Sequence, residues 1–170
     1  MWEFTGNNRP EFARPPGPGQ ESVWDYPRPP VLVPSDEQVD VSFQGIPIAS
    51  SRATLRVLET AHPPTYYLPA ADINWSQLRP IDQTSFCEWK GSANYFLLDA
   101  APELGAVCWQ YLQPVAAFAA LDGHVSFYPS KLDCEVNGEA VRAQPGIFYG
   151  GWITDRVVGP FKGEPGTQNW

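Results

Sequence analysis

The sequence predicts a mainly β fold of compact antiparallel sheets with one or two short helices. Apolar residues alternate at period two in short runs. Turn pairs such as Gln44-Gly45 and Asn137-Gly138 separate those runs. Only two stretches suit a helix, and neither is long. At 170 residues one domain overall is the natural reading, with enough chain for a real core.

Residues 1–30 contain Arg14-Pro15-Pro16-Gly17-Pro18-Gly19-Gln20 and Pro27-Arg28-Pro29-Pro30. Proline fixes φ and lacks an amide donor, so neither helix nor inner strand forms here. Such composition often means disorder. Trp24 and Tyr26 interrupt it, however, and suggest an extended strap that Trp24 anchors to the domain. Residues 31–143 are the mainly β core domain. Val39, Val41 and Phe43 alternate with polar residues as one strand. Gln44-Gly45 turns it, and Ile46-Pro47-Ile48 returns along an edge. Residues 52–60 are expected to form a short amphipathic helix, ended by the proline pair after His62. Tyr66-Tyr67-Leu68 reads as a strand and residues 69–74 as a turn. Residues 83–89 and 93–98 read as strands joined at Lys90-Gly91-Ser92, and residues 107–112 as another. Residues 114–121 are the clearest helix, with proline in the first turn and a stop at Asp122-Gly123. Residues 125–128 and 132–136 are strands, and Asn137-Gly138 leads into Ala140-Val141-Arg142. Residues 144–170, rich in glycine, proline and aromatics, form a second strap.

The formal net charge is −8, with 11 Lys and Arg together. That balance disfavours nucleic acid, whose binding needs a basic field, although a local cationic pair can still hold an anionic ligand. Cys87, Cys108 and Cys134 form no C-x-x-C pair, so no structural zinc is expected. There is no signal-like start and no apolar run of membrane length. A cytoplasmic protein with reduced thiols and no membrane partner is the expectation. A homodimer is compatible with the chain.

Two segments concentrate the chemistry: His62-Pro63-Pro64-Thr65-Tyr66-Tyr67, and Cys87-Glu88-Trp89-Lys90-Gly91 with Tyr95 close behind. Cys87, His62 and Lys90 are the candidate catalytic residues. A thiol becomes a nucleophile when a nearby cation lowers its pKa. Strand alternation puts Cys87 and Trp89 on one face and Glu88 and Lys90 on the other. Lys90 therefore reaches Cys87 only if the strand ends or bulges at Trp89, and the plainer alternative is an inert buried cysteine. His62 lies at a rigid Pro-Pro corner that fixes its ring, which suits a general base or a ligand contact. Glu59 could orient it from the expected helix, while the alternative is a surface or capping histidine. His124, beside a turn, is the weaker candidate. Arg56 and Glu59 fall at i and i+3, where an exposed ion pair is worth about 0–1 kcal/mol. Lys90 could meet a phosphate or carboxylate, or serve as a desolvated amine. Arg56, Glu59, Tyr66, Tyr67, Trp89, Tyr95 and Tyr128 are the candidate ligand-binding residues. Strands send half of such aromatics outward, and two or three could form a cage for a planar or cationic ligand.

Several of these motifs, in this order, carry a resemblance. They are Pro18-Gly19-Gln20-Glu21-Ser22-Val23-Trp24-Asp25-Tyr26-Pro27-Arg28-Pro29-Pro30, Arg56-Val57-Leu58-Glu59-Thr60 with His62-Pro63-Pro64, Tyr66-Tyr67, Cys87-Glu88-Trp89-Lys90-Gly91, and Phe127-Tyr128-Pro129. Together they resemble domain-of-unknown-function family 427, sometimes filed as nucleotidyltransferase-like, over most of residues 18–136. The tail segments Gly150-Gly151-Trp152-Ile153 and Gly159-Pro160-Phe161-Lys162-Gly163 are similar to the version found in cyanobacteria and fungi. The resemblance implies a β-tent-like architecture, related to methionine sulfoxide reductase B and the thalidomide-binding domain of cereblon. Many of those relatives carry a four-cysteine zinc site that this chain lacks. The sequence shows no glycine-rich phosphate loop before a helix and no paired-aspartate metal motif.

The leading expectation is a small-molecule binding domain with a partly aromatic pocket, its polar end made by His62, Lys90 and Arg56. Catalysis by Cys87 with His62 as base is the enzyme version of the same site. One alternative is magnesium-dependent nucleotide chemistry, using carboxylates among Glu59, Asp72, Asp82 and Glu88. A further alternative is a protein-interaction domain with the straps as partner surface.

Overall fold

Period-two alternation is realised as two open antiparallel sheets and two short strand pairs. The structure, a computed structural model, describes residues 2–170. The strands are β1 (Glu21–Ser22), β2 (Val31–Ser35), β3 (Val39–Phe43), β4 (Ile46–Ser51), β5 (Thr54–Leu58), β6 (Thr65–Pro69), β7 (Leu78–Cys87) and β8 (Gly91–Leu98). Then follow β9 (Ala106–Tyr111), β10 (His124–Phe127), β11 (Asp133–Val136), β12 (Glu139–Ala140), β13 (Arg142–Ala143), β14 (Trp152–Ile153) and β15 (Val157–Val158). The larger sheet has the order β2-β5-β6-β10-β9-β8-β7 and the smaller β12-β11-β3-β4. As expected, β4 lies at an edge. β1 pairs in parallel with β15, joining the two straps.

The two sheets bury one face each against the other. Val39, Val41, Ile48, Cys134 and Val136 of the smaller sheet meet Tyr66, Leu68, Phe96, Leu98, Val125 and Phe127 of the larger one. Each such side chain contributes about 1.5–3 kcal/mol when fully buried. Trp152 of the C-terminal strap completes this layer, and its indole N–H donates to the Phe127 carbonyl at 3.0 Å. The opposite face of the larger sheet has no second sheet over it. It carries Val57, Tyr67, Tyr95, Trp109 and Tyr111, joined by Phe118 and Leu121 from the short 3-10 segment Ala116–Leu121.

Both straps lie against the domain. Trp24 is fully buried with Val23, Tyr26 and Val157, and its indole N–H donates to the Pro160 carbonyl at 3.1 Å. Glu21 ties the straps to the large sheet. It pairs with Arg56 at 2.8 Å and Arg156 at 2.7 Å, and accepts the Tyr26 hydroxyl at 2.6 Å. Burial alone would raise the Glu21 pKa, but Arg56, Tyr26 and Arg156 together hold it at about 2.

Residues 52–60 do not form the expected helix. Their centre is β5, hydrogen-bonded between β2 and β6, and two partners outweigh a modest helix propensity. The helical Arg56–Glu59 pair is therefore absent: Arg56 is buried against Glu21, and Glu59 pairs with Arg28 at 3.2 Å. Residues 114–121 contribute only the 3-10 segment, interrupted at Phe118 with φ −117° and ψ 18°. Helical content is confined to short 3-10 turns. β7 starts at Leu78 and ends at Cys87, so the hairpin turn is Glu88-Trp89-Lys90 rather than Lys90-Gly91-Ser92. Among the described residues no helix is long and apolar enough to cross a membrane.

Candidate functional site

The face of the larger sheet that lacks a second sheet floors a cleft of about 860 Å³. Tyr67 comes from β6, Trp109 and Tyr111 from β9, Tyr95 from β8 and Cys87 from β7. β10 runs between β6 and β9. Its neighbours Val125 and Phe127 point into the core, so alternation places the small, buried Ser126 on the cleft side. Tyr67 and Trp109 meet over it: the Trp109 indole N–H donates to the Tyr67 hydroxyl at 3.1 Å, with the rings edge-on. Trp109 also packs on Tyr128, centroids 4.5 Å apart. The Tyr95 hydroxyl shares a 2.7 Å hydrogen bond with the Ser85 hydroxyl. Burial pushes the Tyr67, Tyr111 and Tyr128 hydroxyls above the ordinary phenol range, so all three stay protonated.

One wall is the hairpin turn after β7. The Lys90 carbonyl accepts the Val115 amide at 3.1 Å, which fastens the turn to the 3-10 segment. Lys90 keeps only 8% of its surface exposed. Its ammonium lies 5.8 Å from the Tyr111 ring centroid and 5.9 Å from that of Phe118. Among the described residues it has no ion-pair or hydrogen-bond partner. Cys87 is a half-buried free thiol beside the Tyr111 hydroxyl. Cys108 and Cys134 belong to the core, where burial pushes both thiols up.

The facing wall is made by His62 and the C-terminal strap. The His62 ring stands edge-on to Tyr149, centroids 4.9 Å apart. Its Nδ1 lies 3.0 Å from the Gln144 amide nitrogen. Burial, followed by the charges of Lys162, Arg28 and Lys90, drives the His62 pKa down to about 3. The ring is neutral at physiological pH and far from the operating range of a general base. Gly150 lets the strap lie directly on Trp109, because a Cβ there would overlap the indole. Phe86, Ile147 and Phe148 stand exposed around the mouth.

His62, Cys87, Lys90, Glu59, Tyr67, Trp89, Tyr95 and Tyr128 all line this one cleft. Arg56 and Tyr66 lie outside its lining. They are register partners on β5 and β6, and alternation turns both to the other face. Tyr66 packs on Trp152 at 5.2 Å and donates to Glu37 at 2.9 Å. Glu59 reaches the lining but pairs with Arg28 instead of orienting His62. His124 lies away from the cleft beside the Asp122 carbonyl. Of the four candidate metal carboxylates only Glu59 and Glu88 line the cleft. No group of three or more metal-ligating side chains occurs among the described residues. Sequence reasoning passed over Trp109 and Tyr111, although their i, i+2 spacing on one strand puts them on one face. It also passed over Gln144, Tyr149 and Lys162, for which no local signal exists.

Fold and site thus define a mainly antiparallel β-domain whose open sheet face carries an aromatic cleft. The chain belongs to the family described as Domain of unknown function (DUF427), whose model matches residues 31–138. No curated protein matches the chain. Trp2, Gln144, Tyr149 and Lys162 of the cleft lie outside the matched stretch.

Proposed function

We propose that the chain binds a small molecule in this cleft, with the ligand's ring against the aromatic floor. Lys90 carries the reading. Lys90 is 8% exposed at the edge of the floor, its ammonium 5.8 and 5.9 Å from the Tyr111 and Phe118 ring centroids. It has no hydrogen-bond or ion-pair partner among the described residues, so it is free to donate to a guest in the cleft. A bound ligand would supply the missing partner. The rigid phenol and indole floor needs little ordering when a ring lands on it. Catalysis through Cys87 is the enzyme form of this reading, since the thiol lines the same cleft. Nucleotidyl transfer has less support, because Glu59 is engaged by Arg28 and Asp72 and Asp82 lie elsewhere.

A thermal-shift screen tests the proposal, using nucleotides with and without magnesium and neutral, anionic and cationic ring compounds. A ligand at about 100 times its dissociation constant adds about 2.7 kcal/mol to stability. A shift from a ring compound without metal supports the cleft. A shift seen only with nucleotide plus magnesium would replace it with nucleotide chemistry. No shift from any compound would favour a protein-interaction role.

A further inference from the structure

Which ligand chemistry suits the cleft follows from its uncommitted groups. Gln144 fixes the first of them. Its amide oxygen accepts the Gly151 N–H at 3.1 Å, and its amide nitrogen donates to the Lys162 carbonyl at 2.8 Å. Two main-chain groups of opposite polarity therefore set the orientation of the amide. The nitrogen's second hydrogen faces His62 Nδ1 at 3.0 Å, so Nδ1 is the acceptor. The neutral imidazole must carry its proton on Nε2. Among the described residues that Nε2–H has no acceptor, and His62 lines the cleft.

Lys90 is the second uncommitted group, and an ammonium only donates. The other cationic groups near the cleft are engaged. Lys131 donates to the Ala106 carbonyl at 2.6 Å and Lys162 to the Trp170 main-chain oxygen at 2.7 Å. Arg28 donates to Glu59 at 3.2 Å and to the Thr60 carbonyl at 2.8 Å. The charged side chains lining the cleft are Lys90, Lys131 and Lys162 against Glu59 and Glu88. Glu59 is already offset by Arg28. A chain of net charge −8 thus presents a locally positive, donor-rich pocket.

We infer that the ligand is a planar ring bearing an oxyanion, a carboxylate or a phosphate. Its ring lies on Tyr67, Trp109 and Tyr111, and its anionic oxygens accept from Lys90 Nζ and His62 Nε2–H. This rests on the cleft being a ligand site, and it turns the choice between a planar and a cationic guest toward the anion, since a cationic ring would meet Lys90. Gln144 is a positioning residue that holds His62 in the donating tautomer.

Isothermal titration of the full chain with matched compounds tests the inference. The pairs are 1-naphthoate against 1-naphthamide, indole-3-carboxylate against its amide, phenyl phosphate against phenol, and adenosine monophosphate against adenosine. 1-Naphthylmethylammonium supplies the cation. Charge-assisted hydrogen bonds predict that at least one acid binds about tenfold or more tighter than its neutral partner. Whether carboxylates or phosphates lead identifies the oxyanion. Lys90→Met should remove that preference by weakening the acid about tenfold more than its neutral partner, and Lys90→Arg should restore part of it. Neutral or cationic rings binding as tightly as the acids would overturn the inference and leave the cleft reading standing. Binding by no compound would overturn both. The wild-type pairs decide the matter even if a Lys90 variant fails to fold.

Discussion

Tyr66 and Tyr67 are neighbours in sequence and have opposite fates. Tyr66 faces the sheet-on-sheet core and gives its hydroxyl to Glu37. Tyr67 faces the cleft and takes the Trp109 indole N–H. The same contrast holds for the two faces of the larger sheet. The core face is mostly aliphatic and phenyl, and a second sheet seals it. The cleft face is mostly tyrosine and tryptophan, covered by a short 3-10 segment and strap residues instead of a second sheet. Aliphatic side chains close a layer completely. Rings with polar tips build a rigid surface that still offers hydrogen bonds. One sheet thus carries a sealed core on one side and the proposed recognition surface on the other.

Truncating a core-face ring should have the largest effect. Phe127→Ala should cost about 3–5 kcal/mol, measured by denaturant unfolding. A loss below about 1 kcal/mol would show that the two faces are not divided as described. The clamp between core and straps comes next. Arg56→Met leaves the part-buried Glu21 with Arg156 and the Tyr26 hydroxyl only and should cost about 3 kcal/mol. Limited proteolysis should then cut the N-terminal strap first, and an unchanged digestion pattern would contradict the clamp.

The cleft face should reveal itself through pH. His62 drops from 6.5 to about 3 on folding, through burial and the charges of Lys162, Arg28 and Lys90. Below pH 6.5 the unfolded chain takes up the proton first, so stability present above 6.5 falls as pH drops toward 3. Glu21 and Glu37 are also depressed, from 4.5, and their contribution is lost only below that value. The interval from 6.5 to 4.5 therefore reports His62. Wild type should lose stability across it, and His62→Gln should be flat. Equal slopes would place His62 in solvent. Cys87→Ser should have the smallest effect, about 1 kcal/mol or less, because the thiol is half-buried. A much larger loss in melting experiments would make Cys87 a core residue like Cys108.

Both hairpins at glycine were legible because their chemistry is local. Gln44 and Gly45 have φ of 48° and 82°, and Asn137 and Gly138 have 50° and 79°, as two-residue turns require. The strand around Val39 and Val41 was legible by its period. β5 was not, because its sequence tolerates a helix and only its pairing with β2 and β6 decides the matter. Within the cleft, the segments around His62 and Lys90 stood out by composition. The division of Tyr66 from Tyr67 depended on which face the second sheet covers. Gln144 gave no signal, since its role exists only where the tail crosses His62.

By itself the sequence determined the period of most strands, the main tight turns, the acidic balance and the absence of a C-x-x-C pair. Each depends on composition or on residues a few positions apart. Only the tertiary structure decided that His62 and Lys90 share one cleft, that Arg56 leaves it for Glu21, and that a strap sets an imidazole's tautomer. Those outcomes depend on strand order and on contacts across most of the chain. No local pattern encodes them, because a β-strand's partners are chosen by the whole sheet.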